Sequence, residues 1–293
     1  MKNNLFLTVD DFLSVNADQF ETLGQKSETA RQIIALSKGT AKNDENLVVL
    51  LGWRMHEKAL AAGLSIPSFL ICPSIVKWPK VGDISLRYIE TAERCYIITP
   101  KTFARFSDYG DPDGILSLAR LPMRKPDELM LEDDSVVFVM DGLTKPGNVG
   151  VILRSCDGAG VSAVMTCNLR TRLTHPNAVK ASMGAVFSMP IAGFDNARSC
   201  REWLMGNGFT IYIADPNSEN RYDRLCYPGK IAVVLGNEHI GASRVWYDGS
   251  AHPFSIPMCG ACDSLNVSVA AAILAYEIRS RKAGVNPSEN PTP

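Results

Sequence analysis

The chain has 293 residues, 46% of them apolar and 21% charged, with a formal net charge of −1. That length supports one large domain or two ordinary ones, and the composition is that of a globular protein. Apolar runs stay short of the roughly 18–20 residues that cross a bilayer, so no membrane span is expected, and the near-neutral charge speaks against a uniformly basic nucleic-acid binder, leaving room for a local basic patch.

The N-terminus, MKNNLFLTVDDF, has a short apolar patch, meets acids at Asp10 and Asp11, and lacks a small-residue cleavage site, so it does not read as a signal peptide. Residues 1–46 are polar, partly helical, and basic at Lys26, Arg31, Lys38 and Lys42. LVVLL (47–51) reads as a buried strand. Arg54 to Ala62 carries helix formers and stops at Gly63. Phe69–Ile71, Tyr96–Ile98 and Gly114–Leu121 read as strands, and Pro100 opens a short helix. This alternation predicts a small α/β domain. LPMRKPDELMLEDD (121–134), with two prolines and clustered charges, is the linker candidate.

VVFVM (136–140) has the fully apolar texture of a parallel-sheet strand. Beyond it the reading is helix at Gly147–Ala159, strand at Ala163–Thr166, helix at Ala197–Asn207, and strands at Phe209–Ala214 and Ile231–Leu235. A long helix follows at Ser264–Arg281, and the Pro- and Asn-rich residues 284–293 read as a frayed tail. The predicted division is 1–125 and 130–285. Eight cysteines scattered over a long chain do not form a disulfide framework, so reduced thiols and a cytoplasmic protein are expected.

Three Gly-rich stretches fall at the C-terminal ends of predicted strands, where α/β proteins bind ligands. They are DGLTKPGNVGVILRSCDGAG (141–160), VVLGNEHIGAS (233–243) and FSIPMCGACDSLNVSVAAAILAYE (254–277). None is a GxGxxG fingerprint or a P-loop, which speaks against a nicotinamide-dependent oxidoreductase. Glycines at turns can be purely structural, but three such stretches, each mixing Gly with Asn, Glu or Ser, point to a ligand site. Cys259 and Cys262 form a CxxC without a second ligand pair, so neither a metal nor a redox centre is expected there. The four histidines (56, 175, 239, 252) are isolated.

These stretches closely resemble the three motifs of the SpoU/TrmH RNA ribose methyltransferases of the SPOUT superfamily. The resemblance covers residues 135–281. It rests on Asn148-Val-Gly150 with Arg154-Ser155, on Gly236-Asn-Glu238 with Gly241, and on Ile256-Pro257-Met258 with Ser264-Leu265-Asn266-Val-Ser268. ASMGAVFSMP (181–190) is also similar to the family, and residues 47–121 more weakly resemble the ribosomal-protein-like RNA-binding domain fused in front of such enzymes. The resemblance implies an α/β fold with a trefoil knot in the C-terminal domain. It also implies a homodimer with its active site near the subunit interface, an RNA substrate, and S-adenosyl-L-methionine held by backbone of the second and third motifs. Gly236, Ile256 and Leu265 would line that cofactor, with Leu235 and Met258 beside them. Glycines would let the main chain approach an adenosine, and apolar side chains would cover its purine.

Arg154 is the leading catalytic candidate. Its guanidinium stays protonated, so its expected role is electrostatic: stabilising a developing 2′-alkoxide or clamping the adjacent phosphate. Asn148 is expected to fix a loop or contact RNA, and Glu238 to orient Arg154 or Asn148. Ser264 and Asn266, the pair opening the last helix, complete the catalytic candidates, Ser264 reading also as an N-cap. Asn266 reads as lying within the first turn, where its low helix propensity suggests a functional role. Basic residues cluster at Arg170, Arg172, His175 and Lys180, and again at Lys101, Arg105, Arg120, Arg124 and Lys125; either could meet phosphates. Trp53, Arg54 and His56 could stack on unpaired bases, with Trp53 equally placed as a core residue. By analogy, the separate N-terminal domain favours ribosomal over transfer RNA. A tRNA methyltransferase, or a silent RNA-binding or ribosome-assembly protein on the same fold, is the alternative.

Overall fold

The computed structural model describes residues 8–106 and 113–283; the sequence readings at the extreme N-terminus and at 284–293 lie outside them. Contacts divide the chain into two units, Met1–Pro122 with Thr174–Val179, and Met123–Leu173 with Lys180–Pro293.

In the first unit, α1 (Val9–Val15), β1 (Phe20–Thr22) and α2 (Glu28–Ser37) precede β2 (Leu47–Leu51). Then come α3 (Trp53–Ala61), β3 (Ser68–Ile71), α4 (Trp78–Thr91), β4 (Cys95–Ile97), α5 (Pro100–Phe103) and β5 (Ile115–Arg120). The sheet order is β1-β4-β3-β5-β2, with β5 antiparallel to both its neighbours. Ser27 starts α2 by accepting from the Ala30 amide at 3.2 Å, and Ala30, Ile33 and Leu36 then fall on one face and enter the core.

Two site expectations change here. His56 is fully buried and therefore does not stack on a base. Its Nδ1 lies 2.9 Å from the Gly52 carbonyl, which can only accept, so Nδ1 carries the proton and Nε2 accepts from Ser117 Oγ at 3.0 Å. Burial holds its pKa down at about 4. Arg120 forms ion pairs with Glu45 (3.0 Å) and Glu93 (2.9 Å), so two carboxylates already oppose the charge expected to meet a phosphate. Trp53 is half-buried, with the Lys80 ammonium 5.3 Å and the Arg54 guanidinium 5.5 Å from its ring centre.

The second unit contains β6 (Val136–Asp141), α6 (Pro146–Ala159), β7 (Ala163–Cys167), α8 (Ala185–Ser188) and β8 (Ile191–Phe194). It continues with α9 (Ala197–Gly206), β9 (Thr210–Ala214), β10 (Ile231–Leu235), β11 (His252–Phe254) and α10 (Val267–Lys282); α7 (Pro176–Ser182) begins within the segment grouped with the first unit. All neighbouring strands pair in parallel, in the order β11-β9-β10-β6-β7-β8. Val137, Val139, Ala232, Val234, Ile211 and Ile213 are buried in one core with Leu204 and Trp246, which explains why these strands read as unbroken apolar runs. The linker candidate has little regular structure, a bridge at Arg124 and one turn of 3-10 helix at Pro126–Glu128, but it is held to the second unit. Arg124 donates its amide to the Ile191 carbonyl, Trp203 Nε1 donates to Asp127 at 2.8 Å, and Leu129 is buried in the core. Among the described residues no helix is long and apolar enough to cross a membrane.

Candidate active site

The sheet's strand order reverses between β6, which runs on to β7 and β8, and β10, which neighbours β9. A parallel α/β sheet offers a crevice beyond its strand ends at such a point. A cleft of about 570 Å³ opens past the strand ends on the β10 side of this point, lined from β9, β10 and β11 and by Lys145 at the start of α6. Its apolar wall includes Leu235, Phe254, Ile256, Leu265 and Ala270, and its polar residues include Lys145, Asp215, Glu238, Ser264 and Asn266.

The second Gly-rich stretch folds into a tight turn after β10. Asn237 and Gly241 exchange backbone hydrogen bonds of 2.9 and 3.0 Å, and the Asn237 side-chain oxygen accepts from the amides of His239 and Ile240. A Cβ on Gly236 would stand 2.1 Å from the Ala242 nitrogen and 2.3 Å from the Gly241 carbonyl carbon. Gly236 is therefore held to glycine by its own turn, which closes onto it, and it also lines the cleft. The turn is anchored from below by Asp141, a buried carboxylate at the end of β6. Asp141 accepts from the Ser243 amide (2.7 Å), Trp246 Nε1 (3.0 Å) and Asn168 Nδ2 (2.8 Å).

Closing that turn delivers Glu238 to the start of α6. Its Oε2 accepts from the Thr144 amide (3.2 Å) and hydroxyl (2.9 Å), and its Oε1 from the Lys145 amide (3.3 Å) and Asn148 Nδ2 (2.9 Å). A carboxylate at a helix N-terminus is favoured by the exposed amides and by the helix dipole. Burial opposes the charge on Glu238, but its own amide, Asn148 and Thr144 outweigh burial and hold the carboxyl below its ordinary pKa.

Asn148 is buried and passes the network on, its Oδ1 accepting from Asn266 Nδ2 at 3.2 Å. Asn266 Oδ1 in turn accepts from the amide and hydroxyl of Ser268, both at 2.8 Å. Asn266 is thus the N-cap of α10, which begins at Val267, and Ser264 lies outside the helix. The sequence reading had these roles reversed: a helix start at Ser264 would give up the side-chain cap that Asn266 supplies. Since α6 and α10 pack together, one chain of side chains, Glu238–Asn148–Asn266–Ser268, ties their N-termini.

The candidate residues therefore separate. Leu235, Gly236, Ile256, Leu265, Glu238, Ser264 and Asn266 line the cleft, and Asn148 joins them through its hydrogen bonds. Met258 is half-buried and does not line it. Arg154 is exposed on α6, has no hydrogen bond or ion pair among the described residues, and is not part of the lining. Glu238 orients Asn148 and not Arg154. Cys259 and Cys262 are exposed, and no group of three or more metal-ligating side chains occurs among the described residues. Sequence reasoning missed Thr144, Asp141, Asp215 and Tyr247. Only Asp141, an acid closing an apolar strand, carried a readable signal. Tyr247 Oη donates to Asp215 Oδ2 at 3.0 Å. Burial and the Asp215 charge push its phenol up to about 12, so it remains a donor at neutral pH.

A family model described as the SpoU rRNA Methylase family matches residues 135–276. A protein of Staphylococcus epidermidis assigned to the TrmH family tRNA/rRNA methyltransferases is 30% identical over 241 residues, covering 80% of this chain and 96% of that protein. The 23S rRNA (guanosine-2′-O-)-methyltransferase RlmB of Salmonella typhi is 34% identical over 157 residues, 53% of this chain and 65% of RlmB. Among solved structures, the AdoMet-bound rRNA methyltransferase from Sinorhizobium meliloti superposes with a TM-score of 0.80 at 20% identity, covering 89% of this chain and 98% of that one. With motif residues gathered around one cleft and likeness along nearly the whole of a relative, the chain belongs to the SpoU/TrmH family of RNA methyltransferases.

Proposed function

We propose that the protein transfers the methyl group of S-adenosyl-L-methionine to a ribose 2′-OH of structured RNA, ribosomal RNA in preference to transfer RNA. The observation that carries this reading is the cleft itself. It joins an apolar pocket walled by Leu235, Phe254, Ile256 and Leu265 to the hydrogen-bonded cluster of Glu238, Asn148 and Asn266. A purine fits the apolar part, and the polar margins suit a nucleoside's hydroxyls and amino-acid tail. When bound, the cofactor supplies an electrophilic methyl group for in-line displacement by the ribose oxygen. The RlmB name supports the ribose 2′-oxygen as acceptor and ribosomal RNA as substrate; the AdoMet in the neighbouring structure supports the cofactor.

Glu238 already accepts from four donors, so in this reading it positions the start of α6 and does not take the hydroxyl proton. Arg154 supplies the positive charge that stabilises the developing alkoxide or clamps the neighbouring phosphate. The active protein is a homodimer. The surface bearing Arg154 also exposes Val151 (37%), Val269 (46%) and Tyr276 (55%) on α6 and α10, apolar area that a second copy would cover. A trefoil knot in the C-terminal domain belongs to the same reading. Residues 130–285 carry the chemistry, and residues 1–125, with Lys101 and Arg105 exposed, recognise RNA. The cytoplasm, where all eight cysteines would stay free as they are here, is the compartment we assign.

The test incubates purified protein with radiolabelled S-adenosyl-L-methionine and separate pools of unmodified rRNA and tRNA. Label in the rRNA pool, mapped to a 2′-O-methyl nucleotide, is the expected result. Label in tRNA alone would overturn the substrate preference, and no transfer with no cofactor binding would favour a silent RNA-binding protein.

A further inference from the structure

The cleft has a second polar end, apart from the Glu238 cluster. Ala214, the last residue of β9, is the register partner of both Leu235 and Phe254, so these three form one row across the sheet. Leu235 and Phe254 belong to the apolar wall. Asp215 is the next residue, and its amide donates to the Phe254 carbonyl at 2.9 Å. One strand residue advances about 3.3 Å, so Asp215 stands one step beyond the row that would meet a purine.

Its carboxylate is held in place. Oδ1 accepts from the Asn217 amide (2.9 Å) and Asn217 Nδ2 (3.2 Å), and Oδ2 accepts from Tyr247 Oη (3.0 Å). A carboxylate offers about four acceptor sites. Glu238 has all of its own filled, whereas Asp215 keeps one on Oδ2, within the cleft lining and with no ion-pair partner among the described residues. A ribose is bonded directly to its base, so an oriented acceptor one step past the base pocket is within reach of a sugar hydroxyl.

We propose that Asp215 binds the cofactor by accepting a hydrogen bond from a ribose hydroxyl of its nucleoside, with Asn217 and Tyr247 fixing the carboxylate. The inference rests on the reading that the cleft takes S-adenosyl-L-methionine. Two probes separate the ribose from the amino-acid tail: S-adenosylhomocysteine, and 5′-methylthioadenosine, which keeps the diol and lacks the tail. A third probe is the 2′,3′-dideoxy form of methylthioadenosine. Affinities are measured by calorimetry on the full chain and on Asp215→Asn, a change of equal size on a half-exposed side chain.

Losing a charged acceptor should weaken both diol ligands by about tenfold. Wild type should prefer methylthioadenosine over its dideoxy form by a similar factor, and the variant should not. Unchanged affinity of the variant for methylthioadenosine would overturn the proposal. So would weakening of S-adenosylhomocysteine alone, which would place the carboxylate at the amino-acid tail. If wild type bound neither adenosyl compound, the cofactor reading itself would fall, and this inference with it.

Discussion

Glu238→Gln replaces one carboxylate oxygen by an NH₂ group, and the surrounding network leaves that group nowhere to go. At the Oε2 position it would face the Thr144 amide and hydroxyl. The hydroxyl can rotate to accept, but the amide cannot. At the Oε1 position it would face the Lys145 amide and Asn148 Nδ2. Asn148 could turn its amide over to accept, but its Nδ2 would then oppose Asn266 Nδ2. Asn266 could turn only by withdrawing Oδ1 from Ser268, which uncaps α10. A lost N-cap costs about 1 kcal/mol, and a partly buried donor without an acceptor costs about 1–3 kcal/mol. The expected loss is therefore about 2 kcal/mol by urea denaturation at pH 7, with weaker cofactor binding because the 237–241 turn is no longer fixed to α6. The wild-type contribution should itself depend on pH. The folded carboxyl sits below its ordinary pKa of 4.5, so its stabilisation is present above that pH and is lost as the pH falls through the folded pKa. A loss below about 0.5 kcal/mol for Glu238→Gln would refute the argument that one continuous donor–acceptor chain fixes this site.

Arg154→Ala should leave cofactor affinity unchanged by calorimetry and reduce methyl transfer about a hundredfold or more; equal loss of both would refute its electrostatic role. Gly236→Ala forces a Cβ onto the backbone of Gly241 and Ala242. It should destabilise the protein by about 1–3 kcal/mol and lower cofactor affinity, read by thermal unfolding with and without ligand. His56 is buried neutral with its pKa near 4 against an ordinary 6.5. The unfolded chain therefore binds its proton first, and stability falls as the pH drops from about 6.5 towards 4, by up to about 3 kcal/mol. His56→Gln should flatten that slope in denaturant titrations between pH 7 and 5.

The parallel sheet is legible where burial is two-sided. VVFVM and IAVVL cannot be exposed on either face, and they became the adjacent strands β6 and β10. Helix α4 is absent from the sequence reading although Trp78, Val81, Ile84, Ser85 and Tyr88 are spaced as one buried face. Lys77-Trp-Pro-Lys80 at its start and Gly82 within it look like a turn. Pro79 is tolerated in the first turn, and Gly82 leaves room for the Trp78 ring, 3.2 Å from where a Cβ would be. In the site, residue types showed which segments matter but not their partners. Glu238 and Asn148 are 90 residues apart, and only the folded turn decides that the carboxylate reaches Asn148 and misses Arg154.

Polar residues that edge the cleft stand at or beside helix starts. A helix N-terminus presents amides without partners, and both α6 and α10 begin beside the cleft. Glu238 binds the Thr144 and Lys145 amides just ahead of α6 and the Asn148 side chain within it, while Asn266 caps α10, so two groups that edge the cleft also hold a helix start. Asn148 can bridge them only because it lies in the first turn of α6, facing α10, with its amide presenting a donor on one side and an acceptor on the other. Aspartate there would set a second carboxylate against Glu238, and leucine would leave the Glu238 and Asn266 side chains without a shared partner. Arg154, nearly two turns further along the same helix, touches none of this network, and its exposed guanidinium has no hydrogen bond or ion pair among the described residues.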